Sequence, residues 1–166
     1  MLKTLLKSIM MSVINFRFRK KNRHNYVSVG NRFPISSVEV GIKTYGVLNV
    51  IWMAPQWAKL KIGNYCSIGP QVTFLMGGQH DHKRISTWPF QSRVYKIPPP
   101  FDANTTNNNY DIIIEDDVWI GYDAFIMSGV TVGKGAVIGT RSIVTKNVPP
   151  FSVFVGNKVI KKTVYR

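Results

Sequence analysis

Proton transfer near neutral pH is best matched by an imidazole, and this 166-residue chain has three: His24, His80 and His82. His24 lies in a basic run and is expected to face solvent. His80 and His82 follow the pair Gly77-Gly78 in the stretch Gln79-His80-Asp81-His82. Either could serve as a general base, and both also read as plain exposed loop histidines. A metal site built on His-x-His is the weaker reading, because no Cys or carboxylate cluster with ligand spacing accompanies it. Nucleophilic catalysis through sulfur would need Cys66, the one cysteine.

The elements that must position these groups are written in a period of six. From Ile114, steps of six give Ile120, Ile126, Val132, Ile138 and Val144, all β-branched aliphatics. Four residues after each come Val118, Ala124, Val130, Ala136, Ser142 and Val148, all small or medium. The comb recurs earlier, with Ile62, Ile68 and Phe74 at the large position and Cys66 and Val72 at the small one. Stepped back in phase, Val38, Ile42, Leu48, Val50, Ala54 and Leu60 also fall on comb positions, while Thr44 and Gln56 are polar misses. Between Met76 and Ile114 the phase breaks, which reads as a protruding loop.

Neither a helix nor an alternating strand repeats every six residues. The period describes a flat-sided coil in which three short strands and three tight corners close a turn of about 18 residues. Stacked turns bury a continuous apolar column. Cys66 takes an inward position there, so core filler outweighs a catalytic thiol.

The chain is one domain's worth, 45% hydrophobic and 18% charged, with 22 Lys and Arg against 8 Asp and Glu for a net charge of +14. A disordered tail is excluded by this composition, a disulfide-stapled domain by the single cysteine, and a membrane-spanning helix by the lack of a long apolar run. The cationic balance points to anionic partners. Residues 1–38 hold eight basic residues and no acid. Within them Leu2, Leu5, Leu6, Ile9, Val13 and Phe16 fall at helical spacings and predict an amphipathic helix. It is expected either to cap the core or pack on a neighbouring subunit, or to touch an anionic membrane surface through residues 1–21. The organisation expected is a basic N-terminal segment over 1–37, a coil over 38–162 with a loop insertion over 77–111, and a tail over 163–166.

Lys61-Ile62-Gly63-Asn64-Tyr65-Cys66-Ser67-Ile68-Gly69-Pro70, Asp117-Val118-Trp119-Ile120-Gly121, Ile138-Gly139-Thr140-Arg141-Ser142-Ile143-Val144-Thr145-Lys146 and Val148-Pro149-Pro150 together resemble the hexapeptide-repeat acyltransferases. Gly77-Gly78-Gln79-His80 followed by Ser86-Thr87-Trp88-Pro89-Phe90 is similar to their xenobiotic and sugar O-acetyltransferase branch. The resemblance covers roughly residues 38 to 162. It implies an all-β fold, a left-handed parallel β-helix, assembled as a homotrimer with sites between neighbouring prisms. It also implies transfer of acetyl from acetyl-CoA to a hydroxyl or amine without a metal.

On that resemblance His80 takes the catalytic position as general base, with His82 as runner-up. Trp119, Gly121, Tyr122, Gly139, Thr140, Thr145, Lys146 and Lys161 are the implied acetyl-CoA contacts. Lys146, Lys158 and Lys161 would meet phosphates, although each alone also reads as a solvated surface charge, and Trp119 equally as a packing residue. The acceptor implied is a sugar or nucleotide sugar, which Lys83, Arg84, Arg93 and Lys96 would attract in the loop. An amino sugar or an antibiotic is the alternative, in a cytoplasmic protein with the inner membrane surface within reach. The pattern departs at Gly156-Asn157, which runs directly into Lys158 where relatives carry two more residues. A different class of reading is a non-catalytic basic module for nucleic acid or membranes. Aromatic residues are not interleaved with the basic ones, so nucleic acid is not an expected partner.

Overall fold

The computed structural model describes residues 2–55, 57–78, 85–88, 90–96 and 110–162. Helix α1 (Leu2–Lys21) precedes β1 (Tyr26–Val29), β2 (Val38–Val40), β3 (Tyr45–Met53), β4 (Leu60–Ile62), β5 (Ser67–Ile68) and β6 (Thr73–Gly77). A single-turn helix α2 (Phe90–Arg93) lies in the loop region. Strands β7 (Ile112–Ile114), β8 (Trp119–Ile120), β9 (Phe125–Met127), β10 (Thr131–Val132), β11 (Val137–Ile138), β12 (Ile143–Val144), β13 (Ser152–Val155) and β14 (Lys158–Lys162) follow.

The strands stack in parallel on three faces. The first face carries β2, β4, β7 and β10, extended by a bridge from Val132 to Val148. The second carries the start of β3, then β5, β8, β11 and β13; the third carries the rest of β3, then β6, β9 and β12. Strand β3 runs round a corner, pairing through Tyr45 with Ser67 and through Asn49–Met53 with Thr73–Gly77.

Why these residues coil follows from their types. The β-branched residue of each hexapeptide suits a pleated, half-buried surface and points inward. The inward columns are Val40, Ile62, Ile114 and Val132; Ile68, Ile120, Ile138 and Phe154; and Val50, Phe74, Ile126 and Val144, all buried. Small residues fill the crowded corners, where Cys66, Val118, Ala136 and Ser152 form one buried stack and Val72, Ala124 and Ser142 another. Along two of the three edges the corners turn through a left-handed residue. Lys43, Tyr65, Asp117, Gly135 and Phe151 do this along one edge, and Gln71, Asp123, Arg141 and Gly156 along the next. For the non-glycine members the conformation costs about 1 kcal/mol each.

The first turn departs from the comb. Val40 pairs with Ile62, 22 positions on, and Val50 with Phe74, 24 positions on. The stepped-back phase therefore does not hold there. Ile42, expected on the comb, is 44% exposed, and Thr44, expected as a polar miss, is buried. Thr44 extends the corner stack of Cys66: its hydroxyl donates to Gly63 O (2.7 Å) and accepts from the Cys66 N–H (3.0 Å). A long β3 and the excursion before β4 supply the extra residues.

The N-terminal segment also differs from its reading. β1, within the expected segment 1–37, joins the coil by pairing with β3 from Tyr26↔Tyr45 to Val29↔Leu48. The far edge of β1 is closed by side chains. Asn15 of α1 behaves like a strand residue, donating to Val29 O (2.8 Å) and accepting from Val29 N–H (2.7 Å). Arg19 donates to Val27 O (3.3 Å), and Asn25 accepts from Val27 N–H (3.2 Å). An open sheet edge invites pairing with another chain, and α1 blocks it. The face that does so carries Phe18, which is buried, and Met11 and Ile14, which are half-buried. The predicted stripe looks the other way: Leu5 is 59% exposed and Phe16 72%. The sequence reading expected one apolar face; the helix has two, on opposite sides. No helix among the described residues is long and apolar enough to cross a membrane.

At the other end the chain does not start a further turn. Gly156-Asn157 reverses it, so β14 pairs antiparallel with β13, with Lys161 opposite Val153.

Candidate active site

The candidate residues fall on two edges of the coil. On the second face the outward row runs Trp119, Val137, Val153 and Lys161, each paired with the next. At about 4.8 Å per strand the row spans roughly 14 Å. Trp119 is 52% exposed, and Lys161 is exposed. Where this face turns into the third, Gly121-Tyr122 and Gly139-Thr140 occupy successive coils, linked by Gly121 N–H to Ile138 O (2.7 Å) and Arg141 N–H to Tyr122 O (2.9 Å).

The glycines at this edge are fixed by close backbone. A Cβ on Gly121 would lie 2.7 Å from Thr140 N, and one on Gly69 would lie 2.9 Å from Ile120 O. The edge therefore presents a narrow line of backbone beside exposed Tyr122 and Thr140 side chains. The Tyr122 hydroxyl donates to Gln71 Oε1 (2.8 Å), and Arg141 pairs with Asp123 at 3.2 Å. Gln71 and Arg141 were not singled out in the sequence. Their left-handed backbone, 18 residues or one inserted loop apart from Asp123, is the signal that the comb of inward residues did not carry.

Thr145 and Lys146 stand elsewhere. They follow β12 at the corner between the third and first faces, and both are exposed. Two coils back along the same corner, β6 ends in Gly77-Gly78, both left-handed. A Cβ on Gly77 would meet Ala54 N at 2.8 Å, so a glycine is required where the chain leaves the coil. The return is pinned by Asp111, whose carboxylate accepts from Lys59 N–H (2.8 Å) and whose carbonyl accepts from Gly129 N–H (2.9 Å). Trp57 and Tyr110 meet edge to face at 5.6 Å beside that return. His80 and His82 lie outside the described residues, as do Lys83, Arg84 and the tail 163–166. Arg93 and Lys96 are described and exposed. His24, also exposed, donates from Nε2 to Val40 O at 2.8 Å.

Cys66 is inside the coil. Its thiol donates to Glu115 O at 3.1 Å, and burial pushes its pKa up, against the Val118 and Thr44 hydrogen bonds that pull it down. A thiol held protonated inside the core is a poor nucleophile.

Residues 111–146 match the family model described as bacterial transferase hexapeptide (six repeats). The chain is 45% identical over 112 residues to a chloramphenicol acetyltransferase of Agrobacterium fabrum, covering 63% of this chain and 52% of that protein. It thus spans about half the length of the curated relatives it matches. Among solved structures it is similar to a maltose O-acetyltransferase from Clostridium difficile 630, at 27% identity and a TM-score of 0.59, over 85% of this chain and 67% of that one. A galactoside acetyltransferase in complex with coenzyme A shares the fold at 22% identity and a TM-score of 0.57, over 96% and 86% of the two chains. The coil is a left-handed parallel β-helix, and its residues 111–146 carry the six-residue repeat that gives it that shape.

Proposed function

We propose that the protein is an acetyl-CoA-dependent O-acetyltransferase that acts on a hydroxyl of a sugar or polysaccharide precursor. The 45% identity to an acetyltransferase over 112 residues carries the reading.

The chemistry of the second-face edge fits acetyl-CoA. A narrow backbone line at Gly121 and Gly139 suits a thin pantetheine arm, exposed Trp119, Tyr122 and Thr140 offer apolar and hydrogen-bonding surface beside it, and Lys161 supplies a phosphate-facing charge on the same row. When bound, the cofactor supplies an activated thioester carbonyl and a thiolate leaving group.

His80, two residues past the Gly77-Gly78 exit, takes the acceptor's hydroxyl proton as that oxygen attacks, and returns it to the departing sulfur. His82 is the alternative base. A backbone N–H at a glycine-bearing corner meets the negative charge that grows on the carbonyl oxygen. With Cys66 buried, transfer passes directly from thioester to acceptor.

Thr145, Lys146 and the loop exit occupy a different edge from Trp119, Gly121, Tyr122, Gly139 and Thr140. One prism alone keeps the two sets a face apart. A homotrimer with sites between neighbouring prisms would set one edge of each chain against the other edge of the next, which is how we read the partition of the residues.

Two likenesses bear on the acceptor. The O-acetyltransferase likeness among solved structures favours a sugar hydroxyl; the chloramphenicol acetyltransferase relative favours an antibiotic hydroxyl as second reading. Release of CoA thiol from acetyl-CoA, measured over sugars, nucleotide sugars, amino sugars and chloramphenicol with His80→Ala and His82→Ala alongside, tests both. Sugar-dependent release that falls about a hundredfold or more in His80→Ala alone is expected. Release with chloramphenicol only moves the acceptor to the second reading, and loss in His82→Ala alone moves the base. No release with any acceptor and no binding of acetyl-CoA overturns the enzyme reading in favour of a basic binding module.

A further inference from the structure

The outward face of α1 is left over by everything above. Leu5, Leu6, Ile9, Val13 and Phe16 form a stripe along it, each between 45% and 72% exposed, on the side opposite Met11, Ile14 and Phe18. A helix of 20 residues is about 30 Å long, so the stripe is an extended apolar strip rather than an isolated side chain. Contiguous exposed apolar surface on a soluble domain marks an interaction site. Between Ile9, Val13 and Phe16 and the flanking Arg17 and Lys20 runs a depression of about 600 Å³.

We propose that this face docks the protein on an anionic lipid surface, with α1 lying in the plane of the interface. The charge pattern selects that occupant. Arg17 and Lys20 border the stripe, Lys7 is exposed on the same helix, and no acid occurs before Glu39. An apolar stripe flanked by cations is complementary to acyl chains below a layer of negative headgroups. A second copy of the same face would bring cation against cation with no carboxylate to offset it. The placement of α1 fits as well. Through Asn15 and Arg19 it closes the free edge of β1, the outermost strand of the stack, so the stripe looks away from the end of the coil. A flat surface can meet it there without touching the Trp119 row or the Gly121 edge. The inference is independent of acetyl transfer.

Flotation of the full chain with vesicles tests it, using phosphatidylcholine alone and phosphatidylcholine with about 30% phosphatidylglycerol, at about 0.1 and 0.5 M salt. Ile9→Ser with Phe16→Ser removes apolar surface, and Arg17→Gln with Lys20→Gln removes charge. All four side chains point outward, and circular dichroism with light scattering checks that fold and oligomeric state are kept. Expected is flotation with the anionic vesicles only, weakened about tenfold or more by the serine pair and several-fold by the glutamine pair or high salt. Absence of flotation with either vesicle overturns the proposal, as does equal binding to neutral vesicles or unchanged binding by the serine pair. A serine pair that changes the oligomeric state assigns the face to a second copy instead, and also overturns it.

Discussion

From Ile112 to Val144 the coil closes each turn in 18 residues, Trp119 pairing with Val137 and Phe125 with Ile143. From Val38 to Gly77 a turn takes 22 or 24. Both stretches bury the same kind of inward column, so burial does not depend on the turn length being constant. What the regular stretch adds is redundancy. Inside that stretch Ile114, Ile120, Ile126 and Ile138 each have a buried apolar neighbour on both sides in their column, whereas Val40 and Val50 begin theirs. The lesson is that pairing register, not residue count, is conserved from turn to turn within the prism. Extra residues are expelled at corners.

The sharpest test of that contrast is a matched truncation. Ile138→Ala, in the middle of a fully buried column, is expected to cost about 3–4 kcal/mol, and Val40→Ala, at the slightly exposed end of its column, about 2 kcal/mol. Urea unfolding of both variants measures this, and equal losses would break the distinction. Next in size are the corners. Gly121→Ala forces a Cβ onto backbone at Thr140 and is expected to cost about 2 kcal/mol or more. Gly156→Ala meets nothing within 4 Å and carries only the left-handed backbone penalty of about 1 kcal/mol. A larger loss at Gly156 than at Gly121 would show that the terminal hairpin, rather than the regular edge, is the tight place.

Asn15→Leu removes both hydrogen bonds to Val29 and is expected to cost about 1–2 kcal/mol, with faster amide exchange at Val29 as its local mark. Unchanged exchange there would mean that α1 is held by Phe18 alone. The smallest effect is expected at Arg141→Ala. Its partner Asp123 is reached across solvent, with the Arg141 side chain 75% exposed, so thermal unfolding should move by less than about 0.5 kcal/mol. Cys66 sharpens the picture from the inside. Its buried thiol should react with an aromatic disulfide at least about tenfold more slowly than in urea-unfolded protein.

The regular coils were legible because one residue type, the β-branched aliphatic, sits at one position every six. Ile114 through Val144 announce three faces without reference to any partner. Thr44 was not legible, since its role rests on a hydroxyl that bonds Gly63 O and Cys66 N–H across 22 residues, and no local period carries that. The second apolar face of α1 was missed for a related reason. Met11, Ile14 and Phe18 are spaced as helically as Leu5, Ile9 and Phe16, and only the free edge of β1 decides which set turns inward. For the candidate site, the glycines and Trp119 were visible as parts of motifs. Their separation from Thr145 and Lys146 by a whole face follows from the corners, which a linear reading does not locate.

The exit at Gly77-Gly78 and the return at Asp111 have a further consequence. Thr73 pairs with Phe125, 52 positions on, yet Phe74 and Ile126 stack as faithfully as Ile126 and Val144, which are 18 apart. The prism is therefore indifferent to how much chain leaves between them, because loop length adds only slowly to the entropy of closure. Such a joint makes the loop a replaceable cassette. A shorter, longer or wholly exchanged segment could be carried between the exit and the return while the foldedness of the scaffold stays out of reach of the change.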